Sequence, residues 1–163
     1  MKICVLFGSY SRTGYCYAAI KKLFGVYDPK IIMLSTKKIN YFSYANKYHA
    51  DDFMKCINIM LEADLVCIAC PVIWYCVTAQ TKIFLDRMLD MQYFNKGIMP
   101  KIQSKKFVFV ATYYGADPGY AEIIVARMLK HLHCHLGASL VIEQNQLTDE
   151  LADQFQEACL DLF

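Results

Sequence analysis

The 163-residue chain contains no long run of like charge. Its formal net charge is +2, and its basic pairs, Lys37-Lys38 and Lys105-Lys106, are short. They read as solvated strand flanks and not as a phosphate track. Without the basic stripe of a nucleic-acid binder, no nucleic-acid partner is expected. No apolar stretch reaches the ~20 residues of a membrane-spanning helix. The longest, Leu65 to Ala79, is interrupted by Pro71, so no membrane contact is expected. Met1-Lys2 leads straight into a strand-like segment without a small-residue cleavage site, and a soluble, cytoplasmic protein is expected. Neither G-x-G-x-x-G nor the Gly-Lys-Ser/Thr ending of a P-loop occurs, which argues against a dinucleotide pyrophosphate or an NTP. No second Cys or His pair stands at zinc-site spacing from His131, His133, Cys134 and His135. These histidines are expected on the surface near a helix C-terminus, where positive charge is favoured, and no metal is expected.

What the chain does have is apolar residues. The hydrophobic fraction is 56%, above the usual 45–50% or so, and the length suits one core, a single domain over residues 1–163. The eight cysteines mostly occupy positions where a small hydrophobe would serve, the habit of buried thiols in a reducing compartment. Cys67-Ile68-Ala69-Cys70 is formally C-x-x-C, but a redox dithiol needs a helix N-terminus, and this pair falls in a strand-like run ending at Pro71.

The pattern alternates regularly. Strands are expected at Lys2–Phe7, Lys30–Leu34, Asp64–Cys70, Lys106–Thr112 and Ser139–Glu143. Helices are expected at Tyr15–Gly25, Lys47–Leu61, Val77–Met91, Tyr120–His133 and Asp149–Phe163. Asp51 and Asp52 would lie in the early turns of the second helix, favourably placed for its dipole. Such alternation implies right-handed crossovers and an α/β three-layer sandwich, a parallel sheet covered on both faces. The first, third and fourth strands are apolar throughout, as central strands should be. The second and fifth are shorter, with more polar flanks, which suits edges. The order 2-1-3-4-5 follows, with its switch point between the first and third strands.

Two loops leave those strands. The first, Gly8-Ser9-Tyr10-Ser11-Arg12-Thr13-Gly14, is rich in Gly and hydroxyls and opens a helix near Tyr15. Backbone N–H groups, a helix N-terminus and hydroxyl donors suit a single terminal phosphate, and Arg12 could pair with its charge. An ordinary Ser/Thr helix cap is the plainer alternative. The second, Pro71-Val72-Ile73-Trp74-Tyr75, is apolar and aromatic where a polar turn would be expected. At a switch point it suits a large flat ligand; packing on neighbouring core is the alternative.

These segments, together with Asp51-Asp52-Phe53, Ala63-Asp64 and Lys82-Ile83-Phe84-Leu85-Asp86-Arg87, resemble the flavodoxin-like NAD(P)H-dependent FMN reductases and quinone reductases. The resemblance runs from Lys2 to about Glu143. It implies a flavodoxin-like fold, FMN as cofactor, NAD(P)H as co-substrate, a quinone, flavin or similar small-molecule acceptor, and a homodimer or homotetramer. Carried over, it implies that Ser9, Ser11, Arg12, Thr13, Gly14, Tyr15 and Cys16 wrap the FMN phosphate. It implies that Pro71, Val72, Ile73, Trp74 and Tyr75 line the isoalloxazine, and that Thr112, Tyr113, Tyr114 and Gly115 meet its other edge. Family members often carry Asn and Thr or Ser where this chain has Tyr15 and Cys16, and an aromatic where it has Ile73. Related iron–sulfur flavoproteins have a cysteine cluster before the Asp-Asp pair; Ile39 to Asn46 contains no Cys, so no cluster is expected.

No acid–base pair is required, because a bound flavin carries the chemistry, and no catalytic side chain is singled out. Asp86-Arg87 reads as an ion pair or helix-packing anchor. Tyr113 or Tyr114 stacks on a substrate or is packing; Trp74 covers the flavin or sits at a subunit interface. Two other classes stay open: an electron carrier or flavin-based sensor without turnover, and a flavin-free interaction protein on the same fold.

Overall fold

A computed structural model describes residues 1–115 and 117–163. Five parallel strands run in the order β2-β1-β3-β4-β5. They are β1 (Ile3–Phe7), β2 (Lys30–Met33), β3 (Leu65–Pro71), β4 (Lys106–Tyr113) and β5 (Leu136–Glu143). The helices are α1 (Tyr15–Phe24), α2 (Phe53–Leu61), α3 (Ala79–Arg87), α4 (Leu89–Tyr93), α5 (Met99–Gln103), α6 (Ala121–His131) and α7 (Asp149–Leu160). The expected strand order and layering are both found. None of the described helices is long and apolar enough to cross a membrane.

Period-two alternation along the strands divides the core into two layers. Ile3, Val5 and Phe7 of β1, with Leu65, Cys67 and Ala69 of β3, face α1 and α7. Cys4 and Leu6, with Val66, Ile68 and Cys70, face α2 to α6. Seven of the eight cysteines are buried and Cys76 is half-buried, all as free thiols. The dominant stabilising effect is thus apolar burial on both faces of one sheet, at roughly 25 cal/mol per Å² removed from water.

Three boundaries depart from the sequence pattern. The second helix starts at Phe53 and not Lys47, because the preceding segment is folded by side chains. Asp51 accepts from the backbone and side-chain amides of Asn40 (3.0 and 3.1 Å) and from Arg87 (2.5 Å). Asp52 bonds back to the Lys38 N–H (3.1 Å) and to Lys55 (3.0 Å) and does not cap α2, while Asp51 Oδ1 accepts from the helix's first N–H, that of Phe53 (3.2 Å). The third helix starts at Ala79, capped by the Thr78 hydroxyl, and breaks at Met88 into α3 and α4. The fifth strand begins three residues before Ser139, at Leu136. His133 at φ 57° turns the chain sharply after α6. Cys134 N–H then reaches Leu129 O (2.8 Å) and His133 N–H reaches Lys130 O (3.0 Å), a Schellman ending. His131, His133 and His135 are exposed around that turn.

Arg87 anchors the excursion between β2 and α2. Its side chain is buried with Asp51 (2.5 Å) and Asp90 (2.9 Å) and donates to Asn40 O (3.1 Å). It also lies 3.7 Å from the Tyr48 ring centroid and 4.5 Å from that of Phe53. Burial raises the Asp51 carboxyl. The Asn40 N–H and the Arg87 guanidinium outweigh this, leaving it below its ordinary 3.8. Asp86 and Arg87 do not pair with each other: half-buried Asp86 takes Lys82 (2.6 Å), and Arg87, paired with Asp51 and Asp90, is the anchor that the sequence offered as the alternative.

Candidate active site

The loops after β1, β3 and β4 meet at the carboxyl edge of the sheet, at the switch point between β1 and β3. The first is fixed from below. Gly8 N–H donates to Ala69 O (2.8 Å), and Gly8 O accepts from the Thr78 hydroxyl (2.6 Å). A Cβ at Gly8 would collide with the Thr81 hydroxyl, so only glycine lets the loop cross the start of α3 this closely. Ser35 Oγ holds Ser9 O from the β2 side (3.0 Å).

Above that base, the loop bonds to itself. Ser9 Oγ accepts from Ser11 N–H (3.3 Å), and Ser11 Oγ accepts from Thr13 N–H (3.1 Å) while pairing with the Thr13 hydroxyl (3.1 Å). The plainer expectation, a Ser or Thr cap, is not what is found. The N-cap of α1 is Gly14, and no side chain caps the helix. The first-turn N–H groups therefore keep their capacity for an anion, with the positive end of the dipole behind them.

Not every expected residue faces this opening. Ser9 to Tyr15 form the accessible rim. Cys16 is only 4% exposed and packs into the core beneath α1. Thr112 is 2% exposed, so its side chain and the Cys16 thiol lie beneath the rim. Burial foremost raises the Cys16 thiol, and a hydrogen bond with Thr112 only partly opposes it. Arg12 lies on the outer side of the loop, where it borders a groove along β2 with Lys30, Thr36 and Lys37.

The loop after β3 has a conformation that sequence reading did not reveal. Ile73 and Cys76 exchange both backbone hydrogen bonds (2.9 and 3.1 Å), closing a two-residue hairpin. Trp74 (φ 49°) and Tyr75 (φ 61°) occupy its centre, both left-handed. Such turns favour Asn-Gly, and each L-residue held there costs about 1–2 kcal/mol. Yet Trp74 is 88% exposed, so core packing does not explain its place. Tyr114, from the β4 loop, is 85% exposed alongside. Val72, Trp74, Tyr75, Tyr113, Tyr114 and Asp117 line a depression of about 150 Å³. Val72 N–H donates to Thr112 O (2.8 Å), joining the two loops at their roots.

Residues missed in the sequence lie on the far side of that depression. Gly119 (φ 69°) presses against Tyr75, and Tyr120 N–H donates to Tyr75 O (2.8 Å). Asp117-Pro118-Gly119 is a turn signal that could have drawn attention to this segment.

The geometry offers an anion site beside an aromatic surface, at the position where open α/β sheets bind ligands. It suits a molecule with one phosphate and a flat ring system. The comparisons agree. The family model "NADPH-dependent FMN reductase" matches residues 1–153. The Trp repressor binding protein from Bacillus subtilis superposes with a TM-score of 0.73 at 17% identity, covering 99% of this chain and 97% of that one. An FMN-dependent NADH-azoreductase from Bacillus anthracis, solved in complex with FMN, gives 0.69 at 9% identity and 99% of both chains. RosB, bound to 8-demethyl-8-formylriboflavin-5'-phosphate, gives 0.74 at 12% identity, covering 99% of this chain and 80% of that one. No curated protein matches the sequence.

Proposed function

The chain belongs to the NADPH-dependent FMN reductase family, and we propose that it is an FMN-dependent oxidoreductase passing electrons from NAD(P)H to a quinone, a flavin or a similar small planar acceptor. One observation carries the reading: the uncapped start of α1 and the strained, exposed Trp74–Tyr75 turn flank a single switch point.

The residues fit FMN. Its phosphate would take the hydroxyls of Ser9, Ser11 and Thr13 and the first-turn N–H groups of α1, with Arg12 adding charge from outside. Its ring would lie against Pro71 to Tyr75 and Tyr113 to Gly115. Among the described residues, the N–H groups of Trp74 and Tyr75 make no hydrogen bond, and they would face the ring's polar edge. Bound there, FMN supplies a site that accepts a hydride from a nicotinamide and releases electrons to the acceptor. The chain's part is to bind, to orient and to stabilise charge through fixed backbone donors. Thr112 and Cys16, both buried beneath the rim, would support the floor of the site. Tyr114 and Trp74, both open to solvent, would stack on nicotinamide and acceptor in turn. The free thiols suit a reducing cytoplasm, and we place the functional unit as a homodimer.

Purified protein should carry a flavin absorbance spectrum, and mass spectrometry of the released cofactor should give FMN. Anaerobic NADPH or NADH should bleach it, and turnover with a quinone should follow. A protein that binds neither FMN nor riboflavin 5'-phosphate analogues overturns the reading. Flavin that binds but is never reduced by either nicotinamide indicates an electron carrier instead.

A further inference from the structure

Left-handed backbone at two successive bulky residues persists only where the surroundings enforce it. Here the enforcing contact comes from the segment that leads into α6. Asp117 Oδ1 accepts from Gly119 N–H (2.7 Å), a local turn that sets Gly119 at φ 69°. Gly119 thereby lies flat against the hairpin, where a Cβ would stand 2.5 Å from Tyr75 Cα and 2.6 Å from Tyr75 Cβ. The next residue, Tyr120, donates its N–H to Tyr75 O (2.8 Å) and then begins α6 as its N-cap. Both ends of this contact are anchored. The hairpin is rooted through Val72 to β4, and Tyr120 is rooted in a helix whose Ala121 and Val125 lie in the core.

We propose that Asp117-Pro118-Gly119-Tyr120 is a latch that holds the Trp74–Tyr75 turn in its left-handed form, making Gly119 and Asp117 positioning residues for the ring of the bound flavin. The inference rests on the FMN reading above for its consequence, though not for its geometry. With the latch closed, Trp74, Tyr75 and their N–H groups are set before the ligand arrives. With it open, the turn relaxes and only a fraction of molecules presents a competent site, so the apparent affinity falls by that fraction.

The sole tryptophan lies in the latched turn, so the apoprotein reports on it directly. Gly119→Ala should lower the fluorescence anisotropy of Trp74 in the apoprotein and weaken FMN binding roughly tenfold, as expected if about a tenth of the molecules stay latched. Gly97→Ala should do neither, because a Cβ there meets nothing within 4 Å. Asp117→Ala should reproduce the loss and Asp117→Asn should restore it, since the amide oxygen still accepts from Gly119 N–H. This pair keeps the test open if Gly119→Ala fails to fold. Saturating FMN should return kcat towards wild type while the apparent Kd stays raised, a split that simple destabilisation would not give. Unchanged anisotropy in both Gly119→Ala and Asp117→Ala, with FMN affinity within about twofold of wild type, overturns the latch. So does Asp117→Asn behaving as Asp117→Ala. If wild type binds no FMN, the flavin reading fails, while the apoprotein anisotropy still judges the latch.

Discussion

Trp74 occupies a backbone conformation that suits glycine, on a surface where its ring buries almost nothing. Replacing it with glycine should therefore make the apoprotein more stable and the enzyme worse. Left-handed backbone at an L-residue costs about 1–2 kcal/mol, which Trp74→Gly removes. Glycine adds back roughly 0.5–1 kcal/mol through the greater freedom of the unfolded chain. The lost burial is small, because 88% of the residue is already exposed. The net gain is about 0–1.5 kcal/mol, or up to roughly 6 °C in Tm for a chain of this size. Thermal unfolding of the apoprotein, followed by far-ultraviolet circular dichroism, measures it. The same variant should bind FMN more weakly and turn over more slowly, because the ring and its fixed N–H are what the ligand would meet. If Trp74→Gly destabilises the apoprotein, the turn is not strained and the ring has packing that the exposed geometry does not account for. If stability rises while FMN affinity and turnover stay at wild-type values, the strain serves no ligand.

Arg12→Ala should weaken FMN by roughly 1.5 kcal/mol, the low end for hydrogen bonds to charged groups because the side chain is exposed; riboflavin should bind both proteins alike, and an equal loss for both ligands would place Arg12 in folding instead. Arg87→Met should cost about 3–5 kcal/mol in urea unfolding, since it leaves Asp51 and Asp90 buried without their cation; a loss below about 1 kcal/mol, as for an exposed pair, would refute the anchoring role. The Asp51 carboxyl is held below 3.8 in the folded chain, so its contribution is complete above that pH and is lost as pH falls through the folded value. Asp51→Asn should accordingly flatten the acid limb of the stability–pH curve below about pH 4, and an unchanged limb would assign acid sensitivity to other groups.

The sheet was readable in the sequence because its central strands are buried on both faces and so carry continuous apolar runs. Cys4, Leu6, Val66 and Ile68 face one layer and their neighbours the other, and order 2-1-3-4-5 follows from which strands are apolar throughout. Boundaries failed where side chains and not periodicity decide them. Asp51 is drawn into the Arg87 network, so α2 starts late. His133 accepts a left-handed turn, so β5 starts early. The rim loops were readable because loops at the carboxyl ends of neighbouring strands converge. Their fine structure was not: that Cys16 turns inward and that Gly119 braces Tyr75 depend on distances between segments far apart in sequence, and α1 lacks a side-chain cap because Gly14 is its N-cap and the loop hydroxyls bond within the loop.

The cysteines have a use of their own as a measuring device. Burial pushes the thiols of Cys56, Cys70 and Cys134 up to about 11 and those of Cys4 and Cys159 to about 12. Only the thiolate reacts readily with alkylating reagents, so these buried thiols should be nearly silent to them in the folded chain, and half-buried Cys76 is the accessible one. Five elements carry reporters: Cys4 in β1, Cys16 in α1, Cys56 in α2, Cys67 and Cys70 in β3, Cys159 in α7. The order in which these thiols become labelled then ranks the local openings of the native state, with no probe introduced. Cys16 lies under the rim of the proposed phosphate site, so its labelling rate should slow when that site is filled.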